Sequence, residues 1–574
     1  MKHPSFDTVI RAASVLDGTG APAFTADLGI KDGEVSEIGR ISGRGAREVD
    51  ADGALVTPGF VDIHTHYDGL VTWGERLMPS SHHGVTTVVM GNCGVGFAPC
   101  RADDQDLLIE LMEGVEDIPE PVLSAGLPWK WESFEDYLDF VGERRTDMDF
   151  CAQLPHGALR VFVMGQRGAD GAPATPEDVA EMRALTKRAI EAGAIGVTTS
   201  RTLNHRTSTG APTPSLKAER EELIGLGMGL ADAGKGVFQV ISDFKDLDAE
   251  FEMIAAVARE SGRPLSISLA QGISSRGNRY QDYWRRILDR IHSANAEGLS
   301  IRAQVAPRAV GITIGLDVTL NPFMLTSGYK ALAELPLAQR VARLSRSEVR
   351  EHILSESVDS IEHPLQRLMG NLERVWELDS EPDYEPSPST SIASRARALG
   401  MVPAHLMYDL LIAEGGSKLF YSPFANYAED SLDCCRDMIL DEHCVMGLGD
   451  GGAHVSTICD ASFATFLLTH WGRDRTRGER IDLPTLVKAQ THDTAKAVGL
   501  ADRGLLKEGY KADINIIDFD TLAIKKPEVV FDLPGGGRRL EQRTEGFLAT
   551  FVSGEMTYEK GEPTDALPGC LIRL

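Results

Sequence analysis

The chain has 574 residues, more than one compact core usually holds, so one large domain and one smaller domain are expected. Hydrophobic residues make up 42% and charged residues 25%, an ordinary globular composition that excludes disorder over most of the chain. The formal net charge of −27 gives a surface that repels phosphate backbones and anionic lipid, so we expect neither nucleic acid nor a membrane as a partner.

The sequence predicts a cytoplasmic location. No long apolar run follows Lys2, which argues against a secretory signal peptide. No stretch approaches the ~18–20 apolar residues that a membrane-spanning helix needs. None of the eight cysteines forms a CxxC pair, which fits a reducing compartment.

The predicted elements change in kind along the chain. Short β-prone runs come first, at 7–11, 27–31 and 34–38, separated by turn signals. From about residue 59, buried apolar runs alternate with helical patterns. The apolar runs lie at 86–90, 196–199, 236–241, 264–268 and 444–448, and the helical patterns at 176–192, 216–233, 247–260 and 280–296. This alternation predicts a parallel sheet with crossover helices, and the number of units favours a (β/α)8 TIM-like barrel.

Residues 327–400 interrupt the alternation. They combine a charged helical stretch at 331–375 with a Pro- and Ser-rich loop at 380–392, which indicates an insertion. It is either a lid over the site or a solvated helical excursion. Short strands return after residue 500, at 509–517 and 549–552. We therefore predict that residues 1–58 and 499–574 form a small β-sandwich domain from both termini, and that residues 59–498 form the barrel.

His64 and His66 end an apolar strand with the sequence GFVDIHTH. Residues two apart on a strand project to the same side, and the carboxyl ends of barrel strands form the active-site face. Both imidazoles are thus predicted to bind one metal ion, and histidine is a common ligand of zinc. The alternative is a structural role for the pair.

Two further strand ends carry candidate metal ligands. Cys93 lies in the turn GNCG, where glycines allow close approach and a thiolate would bind zinc; a buried inert cysteine is the alternative. Asp450 lies in GLGDGG and is predicted to ligate the metal or to act as the catalytic acid and base. The alternative for Asp450 is a simple turn former.

Four other residues are predicted, more weakly, to bind substrate. They are His156 in LPHGALR, Arg201 and His205 in SRTLNHR, and His454. Arginine side chains after a buried strand suit a substrate carboxylate. The competing interpretations are a hydrogen-bonded structural histidine for His156 and a surface loop for the segment of Arg201 and His205.

Together these motifs resemble the amidohydrolase superfamily. The segments GNCG and PHGALR and the opening run ASVLDGTGAPAFTADLGI resemble its D-aminoacylase, or N-acyl-D-amino-acid deacylase, branch. The resemblance implies a zinc site lined by His64, His66, Cys93 and Asp450, with the cysteine in the bridging place that a carboxylated lysine holds in related amidohydrolases. It also implies hydrolysis of an N-acyl amide to a carboxylic acid and a free amino acid.

Two middle strands depart from the pattern of that branch, which places one histidine on each. The corresponding segments 238–242 and 267–271 contain no histidine. Three arrangements follow. The metal is held by His64, His66, Cys93 and Asp450 alone; His205 or Gln239 completes a different site; or the metal is weakly bound, exchanged or absent. We favour the first arrangement, with about one zinc per chain and another divalent metal left open.

The predicted function is metal-dependent hydrolysis of a C–N amide bond in a small N-acylated amino acid or a related amide. Three alternatives remain: hydrolysis of a cyclic amide, imide or lactone; a non-hydrolytic metalloenzyme on the same fold; and a catalytically inactive binding protein. The predicted partner is a small-molecule amide, and a homo-oligomer is left open.

Overall fold

The computed structural model of the protein describes residues 5–272, 282–356 and 368–574. The strands are β1 (Phe6–Val15), β2 (Phe24–Lys31), β3 (Glu34–Gly39), β4 (Gly45–Asp50), β5 (Leu55–Pro58), β6 (Phe60–Asp62), β7 (Val85–Met90), β8 (Asp149–Ala152), β9 (Leu154–Pro155), β10 (Gly196–Arg201), β11 (Val237–Ser242), β12 (Leu265–Ser268), β13 (Ile301–Val305), β14 (Val310–Ile314), β15 (Trp376–Glu377), β16 (Phe420–Ala425), β17 (Cys444–Met446), β18 (Ile514–Ile517), β19 (Ala523–Ile524), β20 (Glu528–Leu533), β21 (Gly537–Glu541), β22 (Thr544–Glu545), β23 (Phe547–Val552), β24 (Glu555–Glu559) and β25 (Glu562–Pro563).

The helices connect and cover these strands. They are α1 (Leu70–Trp73), α2 (Gln105–Glu116), α3 (Glu120–Gly126), α4 (Phe134–Gly142), α5 (His156–Met164), α6 (Gln166–Ala169), α7 (Pro176–Glu191), α8 (Arg220–Ala233), α9 (Leu247–Ser261), α10 (Tyr283–Ala296), α11 (Ser327–Lys330), α12 (Leu337–Leu344), α13 (Ser347–Ser355), α14 (Ile392–Leu399), α15 (Pro403–Ile412), α16 (Asp433–Ile439), α17 (Phe463–Phe466), α18 (Leu483–Gln490) and α19 (His492–Ala497). A π-helix spans Leu467–Asp474.

The middle of the chain forms two parallel sheets, β6-β7-β8 and β9-β10-β11-β12-β13-β17. Most residues of these strands are buried, as expected for parallel strands covered on both faces, and β7 is buried along its whole length. The carboxyl ends of β6 and β17 meet, where Thr65 pairs in parallel with Gly451. Among the described residues, the strand ladders of these two sheets do not join into one closed sheet. The structure therefore shows a mixed α/β fold and does not show the closed barrel that we predicted.

The helices between these strands start where the sequence places capping residues. Thr175 caps α7: its side chain accepts from the Asp178 N–H, while Asp178 accepts from the Thr175 N–H, and Pro176 occupies the first turn. The four helical patterns predicted between residues 176 and 296 are confirmed as α7, α8, α9 and α10. Residues 280 and 281 of the fourth pattern lie outside the described residues.

Strands from both ends of the chain share one nine-stranded sheet, in the order β25-β24-β23-β18-β5-β1-β2-β3, with β4 paired to β1. The two ends join where β5 pairs antiparallel with β18, so that Val56 lies opposite Ile516. Strands of the two termini thus lie in one sheet, and the predicted domain boundaries stay predictions. The ladders of the described residues do not show the two facing sheets that a sandwich requires, so the predicted β-sandwich is not confirmed.

Residues 310–425 contain a lobe with its own core. The antiparallel sheet β14-β16-β15 packs with α12 to α15 around buried side chains that include Ile314, Met407 and Phe420. This core extends on both sides of the stretch 327–400. The predicted helical stretch at 331–375 contains α12 and α13, and its residues 357–367 lie outside the described residues.

Within the described ranges we find no helix with the length and apolar character needed to cross a bilayer.

Candidate metal centre

Three predicted ligands meet at the carboxyl ends of two neighbouring parallel strands. His64 and His66 follow β6, and Cys93 follows β7. One ring nitrogen of each histidine and the Cys93 Sγ lie within 4.8 Å of one another, and all three residues are buried. The Cys93 Sγ is 3.4 Å from the His64 Nε2. These are nitrogen and sulfur donors of the kind that zinc binds.

Asp450, which follows the carboxyl end of β17, completes the cluster. Its Oδ1 lies 3.4 Å from the His64 Nε2 and 3.5 Å from the His66 Nε2. The Asp450 N–H donates to the His64 carbonyl oxygen and the His66 N–H donates to the Gly451 carbonyl oxygen, at 3.0 and 2.7 Å. These two backbone bonds hold the two strand ends side by side and set the position of the carboxylate.

Two residues of this cluster have an unusual backbone conformation. Cys93 has φ 55° and Asp450 has φ 47°, in the left-handed region that non-glycine residues enter at a cost of about 1–2 kcal/mol. Glycines beside them allow close packing: a Cβ at Gly94 would lie 2.9 Å from the Ser200 N, and one at Gly449 would lie 2.2 Å from the Asp62 Oδ2. Such strain is concentrated at functional sites when the surrounding structure enforces it.

Two buried glutamines, on β11 and β13, lie beside the strands that carry the cluster. Gln304 on β13 accepts a hydrogen bond from the His64 Nδ1 at 2.6 Å, and its Nε2 donates to the Ser266 Oγ at 3.1 Å. Gln239 on β11 donates to the Ser268 Oγ at 3.0 Å. The Gln304 contact leaves the His64 Nε2 as the nitrogen that faces Cys93 and Asp450.

Glu116, which the sequence analysis missed, lies against the other histidine. It is the last residue of α2 and is 1% exposed, and its Oε1 is 3.3 Å from the His66 Nδ1. Its Oε2 is 3.6 Å from the Nε2 of His454. No local sequence pattern indicates a role for Glu116, because it is one of several acidic residues in its helix. Its partner His66 lies 50 positions earlier in the chain.

The electrostatics of the cluster favour neutral His64 beside an ionised Asp450. Burial lowers the pKa of His64 to about 4. Burial also lowers the pKa of His66, but the Glu116 carboxylate and Asp450 raise it well above its ordinary value. Burial raises the pKa of Asp450, whereas His66 and His64 lower it to well below its usual range. Burial raises the pKa of the Cys93 thiol to about 11.

The donor set fits a divalent metal ion. The His66 Nε2, the ring nitrogen on the Asp450 side, is buried without a hydrogen-bond partner. Buried polar atoms are normally paired, so an open imidazole nitrogen beside a second imidazole, a thiol and a carboxylate is one that a cation would satisfy. His64, His66, Cys93 and Asp450 would hold the ion.

The predicted substrate-binding residues fall into two groups. His156 is fully buried, with its Nδ1 2.9 Å from the Thr199 Oγ1 and its Nε2 2.8 Å from the Glu222 Oε1. Arg201 forms an ion pair with Glu250 at 2.5 Å. Protein groups therefore occupy the polar atoms of His156 and the guanidinium of Arg201.

His205 and His454 lie nearer the cluster. His205 is 2.9 Å from the Ser200 Oγ through its Nδ1, and burial together with the nearby charges of His454 and His66 lowers its pKa to about 3. His454 contacts Glu116, which in turn contacts His66. Substrate contact by His205 and His454 stays a prediction.

His82 and His83, predicted as structural, pack against the C-terminal strands. The His82 Nε2 is 3.0 Å from the Glu541 Oε1, and His83 bonds the Thr465 Oγ1 and the Gln542 carbonyl oxygen. All eight cysteines are free.

The fold and this cluster indicate the class of protein to which the chain belongs. The chain belongs to the amidohydrolase family, whose model matches residues 47–558. The resemblance stated from the motifs is confirmed, and with it the prediction that the chain is an enzyme that hydrolyses carbon–nitrogen bonds other than peptide bonds.

Within that family the chain is similar to deacylases over its whole length. It is 27% identical to a D-aminoacylase of Alcaligenes xylosoxydans xylosoxydans, covering 97% of this chain and 95% of that one. It is 26% identical to an N-acyl-D-aspartate deacylase of the same organism, covering 98% and 93%. A crystal structure of N-acyl-D-glutamate deacylase from Bordetella bronchiseptica, complexed with zinc and a phosphonate inhibitor, matches with a TM-score of 0.64 at 21% identity, over 99% of this chain and 100% of that one.

Proposed function

We propose that the chain is a metal-dependent hydrolase that cleaves the amide bond of a small N-acylated amino acid. The observation that carries the proposal is the meeting of His64, His66 and Cys93 within 4.8 Å, with the Asp450 carboxylate 3.4 and 3.5 Å from the two imidazoles. The deacylase relatives support the substrate class, because they match nearly the whole chain.

The cofactor that we propose is zinc, about one ion per chain, held by His64, His66, Cys93 and Asp450. Zinc in the deacylase structure of the same fold supports this choice. When bound, the ion would supply a Lewis acid that polarises the acyl carbonyl and makes water more acidic. Another divalent metal would supply the same chemistry.

Asp450 is the proposed catalytic acid and base. Its carboxylate is ionised and its Oδ1 is aimed between the two imidazoles, so it can take the proton of the attacking water. The same oxygen then returns the proton to the departing nitrogen, which leaves as a free amine. The left-handed backbone at Asp450 and the two backbone bonds beside it hold that oxygen in place.

Gln304 and Glu116 are proposed to position the two histidines. Gln304 accepts from the His64 Nδ1, so the proton of that ring stays on Nδ1 and the Nε2 lone pair points at the cluster. Glu116 lies at the His66 Nδ1 and plays the matching role for the other ring. Both partners hold the rings in the orientation that metal binding needs.

We propose that the two parallel sheets belong to one (β/α)8 barrel. The contact of the ends of β6 and β17, and the single residue between β8 and β9, support it. In this proposal the barrel spans residues 59–498, with the insertion at 327–400, and residues 1–58 and 499–574 make the small β-domain. A cytoplasmic location and a homo-oligomer stay predictions from the sequence.

The test is hydrolysis of N-acetyl D- and L-amino acids by the purified protein, followed by assay of the free amine. We expect amine release that a chelator abolishes and added zinc restores. Asp450→Asn should lose the activity, and Asp437→Asn, whose side chain is 51% exposed on α16, is the matched control that keeps it. Opening of hydantoins or lactones without amine release would favour the cyclic-amide alternative. Absence of any hydrolysis by zinc-loaded protein would overturn the proposal.

A further inference from the structure

A second cluster of metal-ligating side chains lies at the opposite end of β17 from Asp450. Glu442 and His443 directly precede β17, whereas Asp450 follows it. One nitrogen each of His292 and His443 and one carboxylate oxygen of Glu442 lie within 4.8 Å of one another. The proposed hydrolytic site uses none of these residues.

Hydrogen bonds hold the ring of His292 and the backbone of His443 in this cluster. The His292 Nε2 donates to the Asp441 Oδ2 at 2.8 Å, and the other oxygen of Asp441 accepts from the His443 N–H at 2.8 Å. The His443 carbonyl oxygen accepts from the Ala303 N–H at 2.9 Å, which fixes the backbone to β13. The ring centroids of His292 and His443 are 4.5 Å apart at an interplanar angle of 64°.

The Asp441 contact is the kind that metal-ligating histidines usually make. A carboxylate that accepts from one ring N–H fixes the tautomer, so the other nitrogen keeps its lone pair and the ring becomes a better ligand. The Asp441 side chain is 16% exposed and that of His292 is 40% exposed, so an ion can reach the cluster from solvent.

We propose that His292, Glu442 and His443 bind a zinc ion, with Asp441 as the positioning residue for His292. Two imidazole nitrogens and one carboxylate oxygen are ligands that zinc takes, and water from the open side fills the fourth position. Donors about 2.0–2.2 Å from a tetrahedral ion are about 3.3–3.6 Å apart. The exposed Glu442 side chain can close the remaining distance by rotating.

This second ion would tie α10 to the start of β17. His292 and Asp441 are 149 positions apart in the chain and meet only when it is folded. An ion that binds the folded chain and not the unfolded one raises the temperature of unfolding. Because the cluster and Asp450 lie at opposite ends of β17, we expect a stabilising effect and no part in hydrolysis.

The experiment is a zinc titration of the metal-free full-length protein by calorimetry, with elemental analysis after equilibration in a micromolar zinc buffer. His292→Gln and His443→Gln should each bind one zinc fewer than the wild type, or bind it at least about tenfold more weakly. Both should also lose the rise in unfolding temperature that added zinc gives the wild type. His352→Gln, an exposed helix histidine paired with Glu356, is the matched control and should match the wild type.

The result that overturns the proposal is a stoichiometry and zinc affinity unchanged in both histidine variants. If circular dichroism shows that one histidine variant fails to fold, zinc binding is measured on Glu442→Gln, which changes only an exposed side chain. Failure here is distinct from failure of the proposed function, because the amine-release activity of these variants should equal that of the wild type.

Discussion

Replacing Gln304 by leucine removes the acceptor for the His64 Nδ1 while keeping a side chain of similar size. The hydrogen bond is 2.6 Å long and buried, so its loss leaves the ring N–H without a partner at a cost of about 1–3 kcal/mol. Loss of such a partner to a metal-ligating histidine lowers metal affinity by about 10–100-fold. That corresponds to about 1.4–2.7 kcal/mol of zinc binding energy.

The assay is competition for zinc between the protein and a chromophoric chelator, together with the visible spectrum of the cobalt-substituted protein. Gln304→Glu should restore most of the affinity, because its carboxylate accepts from the His64 Nδ1 and the Ser266 hydroxyl can turn to donate. Gln239→Leu, on β11, removes a similar amide that bonds Ser268 instead of His64, and serves as the comparison. The reasoning fails if Gln304→Leu binds zinc as tightly as the wild type, or if Gln239→Leu loses as much affinity.

Three further changes test other parts of the structure. Asp450→Asn, assayed in excess zinc because the carboxylate is also a proposed ligand, should lower kcat for amide hydrolysis by about 10²–10⁴-fold in initial-rate measurements; near-wild-type rates would remove Asp450 from catalysis. Cys93→Ser should reduce the zinc content, because an alcohol does not ionise as a bound thiol does; full zinc occupancy would exclude Cys93 as a ligand. Glu222→Gln tests pH dependence: burial raises the pKa of Glu222, but His156 and Arg160 lower it to about 2, so ionised Glu222 stabilises the fold by about 3 kcal/mol above pH 4.5. In urea unfolding, the difference in free energy of unfolding between the wild type and Glu222→Gln should shrink as the pH falls from 4.5 to 2. A difference that does not change with pH would contradict this role of Glu222.

Local patterns were enough to predict the parallel core and the strand ends that carry the cluster. His64 and His66 alternate on a strand, and Cys93 and Asp450 sit in glycine-rich turns directly after apolar runs. Because the carboxyl ends of parallel strands lie at one edge, these four residues were expected close together, and the structure brings them together. The zinc-binding and catalytic roles of these residues stay predictions.

The partners of the cluster were not visible in the sequence. Gln304 contacts His64 from 240 positions away, and Glu116 meets His66 from the end of a helix. The sequence analysis noted that the middle strands lack histidines, but nothing local indicates that an amide on β13 accepts from His64. For His156, the buried contacts with Thr199 and Glu222 favour the structural interpretation over substrate binding.

The sequence by itself determined which segments form strands and helices, and which strand ends carry imidazole, thiol and carboxylate groups, because periodicity, capping residues and glycine turns act over a few neighbouring residues. Only the tertiary structure decided that the terminal strands share one nine-stranded sheet, that residues 310–425 hold a separate core, and that Asp441 orients His292 beside His443. Those features depend on which surfaces pack together, and packing joins residues that are far apart in the chain.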